Sequence, residues 1–388
     1  MTIEIPRGDA VALTLVLTRI DSRNPTLAPG APGERNAASA LGDILSRWGF
    51  TVDITDAAPG RPNLIARIGP AGTPAMMFAG HLDTVGVEGM THDPFAASID
   101  AGRIYGRGSA DMKSGVAAMC VAALRAFDEC GSRSEKQIIV AAVADEEYES
   151  LGMHALLASG ISAECAILTE PTRLAICPAH RGFSWIEIEF TGRAAHGSRY
   201  DIGIDAIRHA GLLLSELDTL DAGDLHSRTH QLLGRASLHA SKISGGTGMS
   251  TYPDKCILAV ERRTIPGETA GQVVKEIEDA LDRVRRLRPE LDASVRLVGS
   301  QAPSDVSRDA PVVKLLERAL ANEGLPAPIE GLSAWTDAAL LNEAGIPAVC
   351  FGPGDIGLAH AAEEYVPVSD IEQATAVLAR AGINWMSE

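Results

Sequence analysis

The chain has 388 residues, 46% of them hydrophobic and 22% charged, with a formal net charge of −17 at pH 7. That length allows two domains with ample cores, and the composition is ordinary for a soluble globular protein. The acidic balance excludes nucleic acid and anionic membrane as partners, since both need a basic surface.

In chain order, residues 10–45 read as helical, broken by a loop from Asn24-Pro25 to Pro32-Gly33. Strands are expected at 50–54, 64–68 and 75–79, and an Ala-rich helix at 114–127. The apolar run 138–143 reads as a strand, 153–157 as a helix and 166–168 as another strand. Short apolar runs bounded by turn residues are buried strands of a parallel sheet. Their alternation with helices predicts an α/β domain, a mostly parallel sheet with helices on both faces.

After His180-Arg181-Gly182 the pattern changes. Residues 185–190 alternate, with Ile186, Ile188 and Phe190 on one face and Glu187 and Glu189 on the other, as a half-buried strand does. A helix at 204–217, strands at 237–243 and 256–263, a helix at 272–286 and a strand at 294–298 follow. That order, β-α-β-β-α-β, is the split βαβ or ferredoxin-like unit. It predicts a domain at 181–300 inserted into a catalytic domain made of 1–180 and 301–388. A helix at 311–322 and a strand near 348–351 return the chain to the first domain.

Six cysteines, Cys120, Cys130, Cys165, Cys177, Cys256 and Cys350, form no Cys-x-x-Cys pair and sit mostly in apolar runs. They read as buried thiols rather than a disulfide framework. The first six residues lack a cationic segment followed by an apolar one, and no stretch of about twenty apolar residues is present to span a bilayer. A cytoplasmic location is expected.

The candidate chemistry lies where apolar runs end. His81 and Asp83 follow residues 75–79, Glu146 and Glu147 follow 138–143, Glu170 follows 166–168, and His360 follows the Gly-rich loop after 348–351. Asp111 stands in Gly108-Ser109-Ala110-Asp111-Met112-Lys113, just before the Ala-rich helix. In open α/β sheets ligands bind beyond the carboxyl ends of the strands, so these exits should converge on one rim. Two histidines with several carboxylates suit zinc or a similar divalent ion. So many carboxylates close together would repel without cations, and two ions about 3.5–4 Å apart can polarise a carbonyl together. On a strand His81 and Asp83 would share a face, so Asp83 is expected to accept from the imidazole nitrogen that faces away from the metal. Glu146 and Glu147 point in different directions, leaving one to bind metal and the other free as a base.

These stretches resemble the co-catalytic zinc peptidase and deacylase family that contains acetylornithine deacetylase, succinyl-diaminopimelate desuccinylase and glutamate carboxypeptidases. The resemblance rests on Gly80-His81-Leu82-Asp83-Thr84-Val85, the run from Tyr105 to Gly115, Ala144-Asp145-Glu146-Glu147 and Thr169-Glu170-Pro171-Thr172. Gly192-Arg193-Ala194-Ala195-His196-Gly197-Ser198 and Ala359-His360-Ala361-Ala362-Glu363-Glu364 extend it over nearly the whole chain. It implies two zinc ions per chain, with cobalt or manganese able to substitute. Asp111 would bridge them, His81 and Glu170 completing one site and Glu147 and His360 the other. It further implies Glu146 as general base, Asp83 as the residue orienting His81, and a cis peptide at Asp111-Met112. The inserted domain would act as a lid and make a homodimer, sending His196 into the partner's active site to stabilise an oxyanion. Arg263 matches a residue that binds the substrate carboxylate. Near Ser250, where relatives usually carry an asparagine that helps hold substrate, this chain departs from the pattern with a hydroxyl.

The expected activity is removal of an N-acyl group from a carboxylate-bearing amino acid. Glu170 stands where aminopeptidase branches tend to place aspartate, which favours a deacylase or carboxypeptidase. A dipeptidase or glutamate-type carboxypeptidase would use the same residues, and an inactive metal-binding scaffold is the reading from another class. Arg263 could instead pair with Glu261 or Glu268. His92, His154, His209, His226, His230 and His239 show no ligand context, and Gly245-Gly246 with Gly248 lacks the lysine and following helix of a phosphate loop.

Overall fold

The computed structural model describes residues 4–388. The reading of the N-terminus falls partly on Met1–Ile3, outside the described residues. The chain divides into two compact units, one of Met1–Pro178, Val306–Glu330 and Thr336–Glu388, the other of Ala179–Asp305 with Gly331–Trp335. The second unit thus draws in a short later segment besides the residues of a single insertion.

In the first unit the apolar runs form the centre of a sheet. Ala75–His81 and Gln137–Val143 are buried along their whole length, as strands covered on both faces are. They pair in parallel, and Cys165–Leu168 and Ala348–Cys350 continue the parallel order. Antiparallel strands flank them: the hairpin Thr51–Ala58 and Arg61–Ile68 on one side, and the strand begun at Ile176 on the other. Helix Ser114–Cys130 is apolar almost all round and packs between the sheet and the helices Ala10–Thr18 and Val368–Ser387. Leu151–Ala158 and Ala338–Glu343 form a separate small layer.

The first N-terminal helix is shorter than expected, and the second runs three residues past the expected end at Leu45. The first ends at Thr18 and the second is Arg35–Trp48, so the break runs through Asn24 and is buried there. A small sheet of Ser98–Asp100, Arg103–Tyr105 and Tyr365–Pro367 has three-residue strands, too short to show a period in sequence.

In the second unit Gly182–Thr191, helix Ala206–Leu220, Ser237–Gly245, Lys255–Thr264, helix Ala270–Leu287 and Asp292–Gln301 follow in the order β-α-β-β-α-β. The strands pair antiparallel with Gly182–Thr191 and Lys255–Thr264 in the middle. Ile186, Ile188 and Phe190 meet Leu213, Leu217, Ile277 and Leu281 in one core. Thr269 and Gln272 close the start of the second helix with a reciprocal capping box. The six cysteines are free and buried. Among the described residues no helix is long and apolar enough to cross a membrane.

Candidate metal centre

Strand register brings the site residues to one height. His81 ends its strand opposite Val143, so the turn bearing Glu146 and Glu147 starts level with it. Ala79 lies opposite Leu168, which puts Glu170 level with His81 on the other side. Cys350 also pairs with Leu168, and the loop beyond it leads to His360. Asp111 comes from the turn before helix Ser114–Cys130, and its peptide to Met112 is cis. That helix must approach closely: a Cβ on Gly115 would lie 2.0 Å from the Thr169 carbonyl oxygen, so any side chain there pushes the helix off the strand end that carries Glu170.

His81, Asp111 and Glu147 each offer a ligand atom within 4.8 Å of the others. His81 Nε2 is 3.1 Å from Asp111 Oδ1, while His360 Nε2 is 3.6 Å from Asp111 Oδ2 and 2.9 Å from Glu147 Oε2. Each oxygen of Asp111 therefore faces a different histidine. Glu146 Oε2 stands 3.9 Å from His81 Nε2, and Glu147 Oε1 is buried without a hydrogen-bond partner. Glu170 is buried beside this group, outside its closest trio, and its charge acts on His81.

Electrostatics mark the cluster as short of positive charge. Burial raises Glu146 well above the ordinary carboxylate value, with His81 opposing, and burial likewise raises Glu147 against its hydrogen bond to His360. Burial pushes Glu170 up to about 8. Burial alone would lower His81, but the Asp111 hydrogen bond and the charges of Glu146, Asp111 and Glu170 carry it well upward. Half-exposed His360 is raised to about 9, first by its hydrogen bond to Glu147. Asp111 is the exception: its hydrogen bond to His81 and the nearby histidine charges overcome burial and lower it. Buried carboxylates that prefer protons, histidines that hold them, and an orphaned carboxylate oxygen form a donor set that fits a bound cation. The donors are nitrogen and oxygen, which fits zinc or a similar divalent ion.

Asp83 does not orient His81 as expected. His81 Nδ1 lies 2.9 Å from the main-chain oxygen of Asp83, while the nearer carboxylate oxygen is at 3.7 Å. The strand ends at His81, so the rule that alternate residues share a face no longer holds at Asp83. Its carboxylate turns instead to the main-chain N–H groups of Glu146 and Glu147, at 3.1 and 3.2 Å.

His196, Ser250 and Arg263 belong to the second unit. His196 is exposed, with Nδ1 2.9 Å from Ser198 Oγ, and Gly197 N–H donates to the Ser250 carbonyl at 2.7 Å. These two segments are joined again by a bridge between His196 and Thr251. Arg263 takes the other partner the sequence allowed, an ion pair with Glu261 at 2.7 Å, and its guanidinium lies 5.7 Å from the Phe183 ring.

Sequence reasoning missed the role of Glu364. Its carboxylate accepts from Arg107 Nη1 at 2.6 Å and from the N–H groups of Gly108, Ala110 and Asp111 at 3.1, 3.0 and 3.1 Å. It ties the loop of His360 to the loop of Asp111. Both partners stand inside motif stretches, four residues before Asp111 and four after His360, which was the available signal. Asp337 was also missed: it is buried, and burial raises it to about 7 against the opposing pull of Ser150 and His81.

A sheet whose parallel centre gathers histidines and buried carboxylates at its carboxyl edge defines a metal-dependent hydrolase. The chain belongs to peptidase family M20/M25/M40, which it matches over residues 77–384. It is 34% identical to the acetylornithine deacetylase of Myxococcus xanthus, over 87% of this chain and 88% of that protein. The acetylornithine deacetylase of Vibrio cholerae is 29% identical, over 90% and 91%. In fold it resembles the M20 family metallo-carboxypeptidase Sso-CP2 of Sulfolobus solfataricus, with a TM-score of 0.81 at 16% identity, over 98% of this chain and all of that one. It is accordingly a metal-dependent amidohydrolase of this family.

Proposed function

We propose that the protein removes the acyl group from an N-acyl amino acid bearing a free carboxylate, with two zinc ions held by five side chains. His81 and Glu170 would hold one ion and Glu147 and His360 the other, with Asp111 contributing to both. The observation that carries this is the division of Asp111 between two histidines. When bound, the ions supply Lewis acidity toward the scissile carbonyl and the attacking water. Glu146, mostly buried beside His81 and held by no hydrogen bond to it, takes the proton of that water and passes it to the leaving nitrogen. Asp83 fixes the main chain of Glu146 and Glu147 and receives His81 on its carbonyl. His196 donates to the developing oxyanion across a homodimer built by the second unit, a role that suits its exposed imidazole. Arg263 receives the substrate carboxylate and Ser250 contacts the substrate. Arg263 must then exchange or share Glu261.

The likeness to acetylornithine deacetylases points to a small acyl group on an amino acid. A panel of N-acetyl, N-formyl and N-succinyl amino acids beside dipeptides, each with its methyl ester, tests the reading. The free acids of the acyl set should be turned over best. Preference for dipeptides would make the enzyme a peptidase on the same site. No turnover with any of them, in zinc, cobalt or manganese, would leave a metal-binding scaffold.

A further inference from the structure

Behind Glu146 and Glu147 runs a line of buried hydrogen bonds of which the proposed reaction uses only the last, made by Asp83. Asp145, just before the pair, has φ of +69°, a left-handed conformation that an L side chain holds when its surroundings impose it. Its carboxylate is fully engaged. Oδ1 accepts from Arg61 Nη2 and from Asn24 Nδ2, both at 2.9 Å, and Oδ2 accepts from the N–H of Glu149 at 3.2 Å. Arg61 is also forked onto Glu34, with Nε to Oε2 at 2.7 Å and Nη2 to Oε1 at 2.5 Å. The same Asn24 amide group donates to Asp83 Oδ2 at 2.9 Å. Asp83 in turn accepts the N–H groups of Glu146 and Glu147.

Every member is withdrawn from water: Glu34, Asn24, Asp83 and Asp145 are fully buried and Arg61 is 7% exposed. Only an amide suits position 24. It stands between two buried carboxylates and gives one proton to each, where an aspartate would add a third negative charge. Its orientation is fixed from the other end, since Asn24 Oδ1 accepts the N–H of Thr26 at 3.0 Å. Arg61 sets its guanidinium against both Glu34 and Asp145, and its fork leaves Asp145 one position to occupy.

We propose that Asn24 and Arg61 are positioning residues for the reaction: through Asp83 and Asp145 they grip the Glu146–Glu147 turn from both sides and so set where the base and the metal ligand point. The inference rests on the roles proposed above for those two glutamates. A base that acts only in the transition state should lose kcat and spare KM when it is loosened, and groups behind metal ligands typically contribute about 10–100-fold in affinity or activity.

The test is Asn24→Ala, which leaves the Arg61–Glu34 pair intact, beside Arg61→Lys, which keeps the charge and loses the fork. The expected result for Asn24→Ala is a fall of about 10–100-fold in kcat with KM within about two-fold of the parent. By competition with a chelating dye, the more weakly held zinc should also bind about ten-fold less tightly. Arg61→Lys should show the same pattern at a smaller size. A lower melting temperature with parental kcat and zinc affinity in folded Asn24→Ala would make the residue merely structural and overturn the inference. If Asn24→Ala does not fold, parental values in Arg61→Lys overturn it equally. Glu146→Gln is run alongside. Should it keep parental kcat, the reading of the reaction fails; an inactive Glu146→Gln beside a parental Asn24→Ala sinks this inference alone.

Discussion

Replacing Glu364 with glutamine changes one atom and tests whether the two loops of the centre are held together by that carboxylate. In the parent, Oε2 serves Arg107 and the N–H of Gly108, and Oε1 serves the N–H groups of Ala110 and Asp111. Glutamine keeps one oxygen and must aim an NH2 at one of these donor pairs. Two hydrogen bonds are lost whichever way the amide turns, each worth about 1.5–3 kcal/mol to a charged acceptor. Arg107 is 3% exposed and would keep its charge without its counter-ion, its other hydrogen bond going to the Gly86 carbonyl. These losses overlap, so the measured effect should resemble the breaking of a buried ion pair, about 3–5 kcal/mol. The assay is urea unfolding of the metal-free protein, where no bound ion adds to stability, followed by zinc titration of the folded variant. The midpoint should fall sharply with the slope unchanged, and zinc should bind about 10–100-fold less tightly because the main chain of Asp111 is no longer fixed. A parental midpoint together with parental zinc affinity would refute the argument.

The remaining expectations concern ions, protons and subunits. Elemental analysis after dialysis against zinc should give about two ions per chain, and one at saturation would end the shared-aspartate reading. Without metal, stability should fall as pH rises. Glu170, raised from 4.5 to about 8, and His360, raised from 6.5 to about 9, both hold protons more tightly folded than unfolded, so their contribution is complete at low pH and is lost as pH climbs through the folded values. Asp111 has the opposite sign but acts only below its ordinary 3.8, and buried His180, lowered from 6.5 to about 4, offsets only part of the fall below pH 6.5. The melting temperature of the chelated protein should therefore drop between about pH 5 and 9, zinc should flatten that drop, and a rise instead would show the burial argument to be wrong. For His196, mixing His196→Ala with Glu146→Gln chains should restore activity through hybrids that contain one intact composite site. No recovery after verified subunit exchange would confine the histidine to its own chain or remove it from the reaction.

What the sequence disclosed and what it hid follow one physical distinction. Ala75–His81 and Gln137–Val143 were visible because strands buried on both faces must be apolar throughout, and the residue at which that run stops is by necessity at the sheet's edge. His81, Glu146, Glu147 and Glu170 were legible for that reason, and Asp111 by the motif from Tyr105 to Gly115 in which it stands. The alternation of Ile186, Ile188 and Phe190 announced the second unit in the same way. Asp83 was placed near its target and given the wrong contact, because spacing predicts direction only while the strand lasts. Ile176–His180 carries a proline in its middle and did not read as a strand. Asn24, Glu34 and Arg61 left no trace. They lie on a loop, at a helix cap and on a hairpin strand, and nothing in their spacing relates them to one another or to Glu146. A ligand set is written in the chain as residues at the ends of apolar runs. The groups that aim those ligands are written only in three dimensions, where a fully buried Asn24 between two fully buried aspartates has few other reasons to be polar.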